Sequence, residues 1–197
     1  MHDSDRLLTL CARALEGRPA LLQYRSKLED LDLRQAQATA LLALCRAREV
    51  PLIINDDVSL AVAIGADGAH VGREDGAVTE ARARLGRDSI LGVTCYNEFE
   101  RAVQAVADGA DYVAFGAMFP SSTKPAAVSA PVSLVERAVR ALPLPVATIG
   151  GITLDNAPAL VRAGSTLLAV VSDVFDHPDP AGRSARYAEL FPVDEQA

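Results

Sequence analysis

Short apolar runs alternate with segments of helical periodicity along the whole chain, and this alternation predicts the fold class. After each run, apolar residues recur at spacings of three and four, which is typical of an amphipathic helix. One such helical face consists of Phe99, Ala102, Val103, Val106 and Ala107. Continuous apolar strands that alternate with helices indicate a parallel sheet covered by helices. The seven predicted strands are residues 20–25, 51–56, 68–72, 89–94, 112–116, 145–151 and 167–172.

The number and order of these elements favour a TIM (β/α)8-type barrel that lacks its first strand. The chain opens with a predicted helix over about residues 4–16 rather than with a strand. No G-x-G-x-x-G or G-x-x-x-x-G-K-[ST] loop is present, although a doubly wound sheet commonly carries one after its first strand. We therefore expect residues 1–197 to form a single α/β domain of TIM-barrel type, with two unpaired strand edges.

Composition and charge narrow the range of partners. Apolar residues make up 50% of the chain, which is ample for a core, and the net charge of −7 argues against nucleic acid or an anionic membrane as a partner. The first residues lack the pattern of a signal peptide, and no apolar run approaches the roughly 20 residues of a membrane span. We expect a cytoplasmic protein that acts on small molecules, and a homo-oligomer is compatible with the sequence.

Polar and charged residues follow nearly every predicted strand. In TIM barrels the carboxyl ends of the strands carry the active site, so these side chains are expected to converge. The residues at these strand ends are Gln23, Arg25, Lys27, Asn55, Asp56, Asp57, Arg73, Glu74, Asp75, Thr94, Ser121, Ser122, Thr123, Lys124, Gly150, Gly151, Val171 and Ser172.

The chemistry of these residues predicts an anion-binding site with two poles. Arg25, Lys27 and Lys124 form a cationic pole, and Asp56 and Asp75 offer carboxylate oxygens for a Mg²⁺ ion that also takes diphosphate oxygens. The glycine-rich turn after the sixth predicted strand forms a second pole suited to phosphate. Two poles indicate two phosphorylated substrates or one bisphosphate.

Single members of this set also have structural explanations. An Arg–Lys pair at a strand end is often merely solvated, and Asp56 could cap the helix that follows it. His70 lies in the middle of a predicted strand and is expected to be a hydrogen-bonded barrel residue. The order and completeness of the whole set favour a functional interpretation.

Seven segments, in their order along the chain, resemble the thiamine-phosphate synthase family over about residues 4–175. The segments are QYRSK, IINDD, GADGAHVGREDG, ILGVTC, GADYVAFGAMFPSSTKP, IGGITLDN and AVVS. The resemblance implies a Mg²⁺-dependent transferase of thiamine biosynthesis that joins 4-amino-2-methyl-5-(diphosphomethyl)pyrimidine to 4-methyl-5-(2-phosphoethyl)thiazole. It further implies that diphosphate departs first and that the thiazole nitrogen captures the resulting cation, which gives thiamine phosphate and diphosphate.

The resemblance also implies roles for individual residues. The implied ligands of the pyrimidine diphosphate are Gln23, Arg25, Lys27, Asn55 and Lys124. The implied Mg²⁺ ligands are Asp56 and Asp75, and Thr94 would lie close to the reacting pyrimidine. The implied thiazole-phosphate pocket consists of Ser121, Thr123, Gly151, Val171 and Ser172. The residues expected to act in catalysis are Arg25, Lys27, Thr94 and Lys124.

The sequence departs from the family pattern in three places, and two other functions stay open. The first strand is absent, Arg73 replaces a common Gln, and Tyr96 replaces a common His; we expect the last two to be tolerated. A thiazole tautomerase would need a general acid/base histidine rather than the full cationic pole. A non-catalytic phosphate-binding regulator would have no need for both Asp56 and Asp75.

Overall fold

Seven parallel strands alternate with helices in the computed structural model, which describes residues 3–120 and 128–191. The strands are β1 (Leu22–Tyr24), β2 (Leu52–Asn55), β3 (Gly68–Val71), β4 (Ile90–Tyr96), β5 (Tyr112–Phe115), β6 (Val146–Ile149) and β7 (Leu167–Ala169). The helices are α1 (Ser4–Glu16), α2 (Leu31–Arg46), α3 (Val58–Ile64), α4 (Val78–Leu85), α5 (Phe99–Ala107), α6 (Val132–Ala141), α7 (Ala157–Arg162), α8 (Ser172–Phe175) and α9 (Pro180–Ala188).

The strands form one sheet in sequence order, from β1 at one edge to β7 at the other, and every neighbouring pair is parallel. The sheet curls into a TIM-like barrel architecture with helices on its outer face. The seven predicted strands and the predicted opening helix over residues 4–16 are thereby confirmed. Within the described ranges, no helix is long and apolar enough to cross a membrane.

Side chains alternate between two apolar layers on the two faces of the sheet. One layer lies between the strands and the helices, and its largest buried strand residues include Leu52, Ile54, Val71, Val93 and Phe115. The other layer lies on the concave face and contains Tyr112, Ala114, Ala147, Ile90 and Leu167. Because register aligns Ala114 with Ala147 and Ala147 with Leu167, the inner layer runs across three strands. The concave face thus has its own small core below the carboxyl ends of the strands.

An ion pair joins the short helix α8, which follows β7, to α9. Arg183 donates from Nη2 and Nε to the two carboxylate oxygens of Asp173, at 2.8 and 2.9 Å. The Tyr187 hydroxyl donates to the same carboxylate at 2.5 Å. Burial pulls the pKa of Asp173 upward, but the hydrogen bonds from Arg183 and Tyr187 outweigh it and leave the pKa below its ordinary value. The charged form of Asp173 therefore stabilises the packing of α9 against α8.

We expect Asp173→Asn to lower the melting temperature at pH 7 by about 3–8 °C, because three charge-assisted hydrogen bonds, two from Arg183 and one from Tyr187, are weakened. A depressed folded-state pKa gives stability that is complete above the unfolded value of 3.8 and is lost as pH falls through the folded value. The difference between wild type and variant should therefore shrink below about pH 4. Thermal melts from pH 7 to pH 3 measure this, with Asp176→Asn, at an exposed position one turn away, as the control. A difference that stays constant with pH would contradict the assignment.

Candidate active site

Two carboxylates that the sequence predicts to meet do meet at the carboxyl ends of β2 and β3. Asp56 and Asp75 line the same cavity, and besides the larger effect of burial, Asp75 lies close enough to raise the pKa of Asp56. The backbone N–H of Gly72 donates to Asp75 Oδ2 at 2.7 Å, and the N–H of Asp56 donates to the His70 carbonyl at 2.8 Å. Asp56 adopts a left-handed φ of 66°, a conformation that costs about 1–3 kcal/mol for most residues other than glycine and is concentrated at functional sites.

The neighbouring acid, Asp57, and not Asp56, caps the helix that follows β2. Asp57 Oδ1 accepts the N–H of Leu60 at 2.9 Å and so caps α3. Its Oδ2 accepts from Arg34 Nη2 at 2.7 Å. Because Asp57 satisfies the first turn of the helix, the Asp56 carboxylate is left for the strand-end cluster.

The electrostatics of this pair suit a bound cation. Burial raises the pKa of Asp56, Asp75 raises it further, and Arg25 opposes both effects. A carboxylate whose ionisation is disfavoured by burial and by a second carboxylate gains from a divalent ion bound between the two. In the part of the chain that the structure describes, no third His, Cys, Asp or Glu forms a metal-holding group with them. Mg²⁺ is commonly bound by one or two carboxylates together with water and substrate phosphate oxygens, so the donor set fits this ion.

An unsatisfied amide lies next to the carboxylate pair. Asn55 Nδ2 is buried and has no hydrogen-bond partner of ordinary geometry among the described residues, although the amide lies near enough to Asp56 to lower its pKa. A buried donor without a partner costs about 1–3 kcal/mol, which an acceptor on a ligand would recover. A cavity of about 370 Å³ opens here, and its lining includes Asn55, Asp56 and Asp75.

The described residues include only part of the predicted cationic pole and only some of the predicted loop residues. Arg25 and Lys27 are exposed just beyond β1, and of the two only Arg25 contributes to the pKa of Asp56. The predicted site residues that lie outside the described ranges are Ser121, Thr123 and Lys124. The remaining ones, Gly151, Val171 and Ser172, follow β6 and β7 and therefore lie at the same end of the sheet.

Gly151 also has a packing role at this end of the sheet. Its φ is 60°, and a Cβ atom there would lie 2.4 Å from the Pro120 carbonyl oxygen. Glycine thus lets the loop after β6 pack directly on the segment that leads into residues 121–127. Val171 is 57% exposed, and Ser172 begins the four-residue helix α8. Val171 and Ser172 are therefore accessible to a ligand.

A line of buried polar side chains crosses the concave face and links Gln23 to Thr94. His70 Nε2 lies 2.7 Å from Thr94 Oγ1, and His70 Nδ1 lies 2.9 Å from the Tyr112 hydroxyl. Burial raises the pKa of the Tyr112 phenol, and the Gln23 side chain lies close enough to Tyr112 to lower it, a smaller effect than that of burial. The prediction that His70 is a hydrogen-bonded barrel residue is confirmed. Tyr112 was missed from the sequence, although its position on the same strand face as Ala114 would have placed it inside the barrel.

Burial lowers the pKa of His70 to about 4, with a small opposing effect from Asp75. We therefore expect the His70 ring to stay neutral from pH 8 to pH 5, the interval in which an unperturbed histidine titrates. Imidazole resonances followed by NMR across this interval measure the titration. A midpoint near 6.5 for His70 would show that its ring is solvated rather than held in the barrel.

The two side chains that depart from the family pattern contact each other. The Arg73 guanidinium lies over the Tyr96 ring at 5.1 Å, and the backbone N–H of Arg73 donates to the Tyr96 hydroxyl at 3.3 Å. Arg73 also forms an ion pair with Glu98. The extra positive charge at Arg73 is therefore engaged by neighbours other than the Asp56–Asp75 pair.

The chain is similar in sequence to known thiamine-phosphate synthases. A family model described as thiamine monophosphate synthase matches residues 1–174. The thiamine-phosphate synthase of Aromatoleum aromaticum is 60% identical over 189 residues, which cover 96% of this chain and 91% of that protein. The thiamine-phosphate synthase of Azoarcus sp. strain BH72 is 61% identical over 190 residues, covering 96% of this chain and 92% of that protein.

A solved structure extends the similarity to the fold. The thiamine phosphate pyrophosphorylase from Pyrococcus furiosus superposes with a TM-score of 0.85 at 28% identity, covering 93% of this chain and 88% of that chain. A 3-hexulose-6-phosphate synthase superposes with a TM-score of 0.72 at 16% identity, covering 96% of this chain and 95% of that chain, and shares the fold alone. The family model and the identities of 60% and 61% show that this chain belongs to the thiamine-phosphate synthase family.

Proposed function

We propose that this enzyme joins the pyrimidine diphosphate to the thiazole phosphate by a dissociative reaction at the carboxyl ends of β1–β7. The observation that carries the proposal is the cluster of Asp56, Asp75 and the Asn55 amide, with Arg25 beside it. Acidic oxygens, an unsatisfied N–H donor and a guanidinium together provide for both a metal ion and a diphosphate. The family resemblance assigns the metal and the diphosphate to these same residues.

The bond that breaks joins the pyrimidine methylene carbon to a diphosphate oxygen, and its electron pair leaves with the diphosphate. The thiazole nitrogen then gives its lone pair to the methylene carbon, so a C–N bond forms and no proton needs to move. Arg25, Lys27 and Lys124 would neutralise the charge that grows on the leaving group. A Mg²⁺ ion held by Asp56 and Asp75 would supply further charge neutralisation as a Lewis acid.

The concave face would hold the pyrimidine. Gln23 and Thr94 lie on either side of the buried His70–Tyr112 pair, so each has a fixed position when the substrate arrives. The same pair argues against the tautomerase alternative. Both ring nitrogens of His70 are engaged, and its pKa of about 4, which burial lowers, leaves the ring neutral at pH 7 and poorly suited to general acid/base work.

The loops after β5, β6 and β7 would bind the thiazole phosphate. Ser121 and Thr123 would supply hydroxyl donors, and Gly151 would allow close approach of the backbone to the phosphate. Val171 and Ser172 would complete the pocket, and their exposure leaves them accessible to the substrate.

The proposal includes the architecture of the chain. We infer that residues 1–197 form one domain and that the first strand of an eight-stranded barrel is missing, because the described residues before β1 form helix α1 and β1 is an edge of the sheet. We also expect the enzyme to act in the cytoplasm on phosphorylated small molecules, without nucleic acid or membrane partners.

Formation of thiamine phosphate from the two substrates, with and without Mg²⁺, tests the function directly. Oxidation of the product to its fluorescent thiochrome derivative gives the signal. Product that depends on Mg²⁺ and on both substrates would support the proposal, and isomerisation of the thiazole precursor alone would favour the tautomerase. Absence of product from folded protein would contradict the proposal for this chain. If a version extended by a first strand then gave product, the missing strand would be the cause.

A further inference from the structure

The buried pair of His70 and Tyr112 connects two residues that would contact the same substrate. Both side chains are 6% exposed, and they lie between Gln23 on β1 and Thr94 on β4. A hydrogen-bonded line of this kind has a direction, because each hydroxyl or ring N–H donates only one proton. The direction decides whether the Thr94 hydroxyl proton points into the barrel or towards a ligand.

Tyr112 determines the direction of this line. Burial raises the pKa of the Tyr112 hydroxyl, so the phenol stays protonated, and a phenol is a stronger hydrogen-bond donor and a weaker acceptor than the aliphatic hydroxyl of Thr94 at the other end of the line. The protonated Tyr112 hydroxyl therefore donates to its neighbour, His70 Nδ1, at 2.9 Å. A neutral imidazole that accepts at Nδ1 carries its proton on Nε2, which donates to Thr94 Oγ1 at 2.7 Å.

We propose that Tyr112 and His70 are positioning residues that hold Thr94 Oγ1 as an acceptor on its inner side and thereby commit its hydroxyl proton to the substrate. In the opposite direction, Thr94 would donate to His70 and would offer the ligand only a lone pair. A hydrogen-bond donor stabilises the departing diphosphate or a pyrimidine nitrogen, whereas a lone pair does not. The proposal rests on the proposed role of Thr94 at the pyrimidine.

The backbone makes room for this pair at one specific position. Gly92 is aligned with His70 on one side and with Tyr112 on the other. A Cβ atom at Gly92 would lie 2.1 Å from Tyr112 Cζ and 2.4 Å from His70 Nδ1. Any larger residue would therefore separate the two side chains. The 2.9 Å contact across β4 depends on this glycine, which argues that the line is a built feature of the concave face.

The first test is the protonation of the His70 ring in substrate-free protein, measured by ¹⁵N NMR of labelled histidine. We expect the Nε2–H tautomer, with the Nδ1 resonance shifted by an accepted hydrogen bond. In Tyr112→Phe, the Nδ1 resonance should move to the chemical shift of an imidazole nitrogen that accepts no hydrogen bond. A Nδ1–H tautomer in the wild type, or an Nδ1 resonance that Tyr112→Phe leaves unchanged, would overturn the proposed direction.

The second test is a double-mutant cycle between Tyr112→Phe and Thr94→Val. Each change alone should lower kcat about 5- to 20-fold, with little change in KM for the pyrimidine diphosphate, because one hydrogen bond that strengthens in the transition state is lost. In the Thr94→Val background, Tyr112→Phe should cost no more than about twofold, since its effect passes through Thr94. Reductions that multiply would overturn the proposal. Thr94→Ser keeps the hydroxyl and should retain most of the activity.

Tyr24→Phe is the matched control for the loss of a buried tyrosine hydroxyl. Tyr24 is also 6% exposed, and its hydroxyl bonds Gln37 Oε1 at 2.8 Å on the outer, helix-covered face of the sheet. We expect Tyr24→Phe to leave kcat within about twofold of wild type. The two tests also distinguish a failure of this proposal from a failure of the proposed function. Full activity of Thr94→Val would show that Thr94 does not contact the pyrimidine. The NMR measurement needs no substrate, so it tests the direction of the hydrogen bonds independently of the reaction.

Discussion

Asp56→Asn is expected to lower kcat by about 100- to 1,000-fold, because loss of a proposed Mg²⁺ ligand would remove several kcal/mol of charge stabilisation from the departing diphosphate. The substitution keeps the volume and polarity of the side chain, so the fold should survive. It also removes the repulsion between the Asp56 and Asp75 carboxylates, which adds to the effect of burial in raising the pKa of Asp56. The thiochrome assay over a Mg²⁺ titration measures the effect, and excess Mg²⁺ should restore part of the rate.

The neighbouring residue provides the matched control for this experiment. Asp57→Asn weakens the cap of α3 and the ion pair to Arg34, both of which are structural contacts. We expect a loss of about 1 kcal/mol in the free energy of unfolding, with kcat within about twofold of wild type. Normal activity of Asp56→Asn at limiting Mg²⁺, or a larger loss of activity in Asp57→Asn, would assign the metal to other residues.

Arg25→Ala is expected to lower kcat/KM for the pyrimidine diphosphate by about 100-fold. The guanidinium would contribute a charge-assisted hydrogen bond to the leaving group, which is worth about 1.5–3 kcal/mol. Its removal should also raise the pKa of Asp56 further, because Arg25 opposes the effects of burial and Asp75. Steady-state kinetics at low ionic strength, where surface charge is least screened, measure the loss.

Two variants show whether the charge or the shape of Arg25 matters. Arg25→Lys should recover part of the lost activity, since an ammonium keeps the charge but not the paired donors. Arg87→Ala removes another exposed arginine, located before β4 and thus at the opposite end of the sheet, and should leave kcat/KM unchanged within about twofold. If Arg87→Ala and Arg25→Ala had equal effects, the role of Arg25 would be a general field effect rather than a contact.

The sequence predicts the sheet well because the signals for it are local. Short, largely apolar runs such as residues 51–56 and 112–116 that alternate with helical segments indicate buried strands of a covered parallel sheet, and the structure has strands at Leu52–Asn55 and Tyr112–Phe115. The meeting of Asp56 and Asp75 follows from the same pattern, because neighbouring parallel strands bring their carboxyl ends together. Chain order and strand polarity were sufficient for these two features.

The tertiary structure shows which of two adjacent acids caps α3. Asp56 and Asp57 both stand between a strand and a helix, and either could cap α3 by its spacing. The left-handed φ of Asp56 and the approach of Arg34 from α2 assign the cap to Asp57. Arg34 lies 23 residues away along the chain, so no local pattern contains this information.

The strand order and the candidate site at the strand ends were thus determined by the sequence itself, through apolar periodicity and the polarity of parallel strands. The contacts inside the barrel were not. Whether His70 meets Tyr112 depends on the register of three strands and on the space left by Gly92 between them. Register fixes which side chains share the concave face, and it is set by the packing of the whole sheet rather than by any one segment.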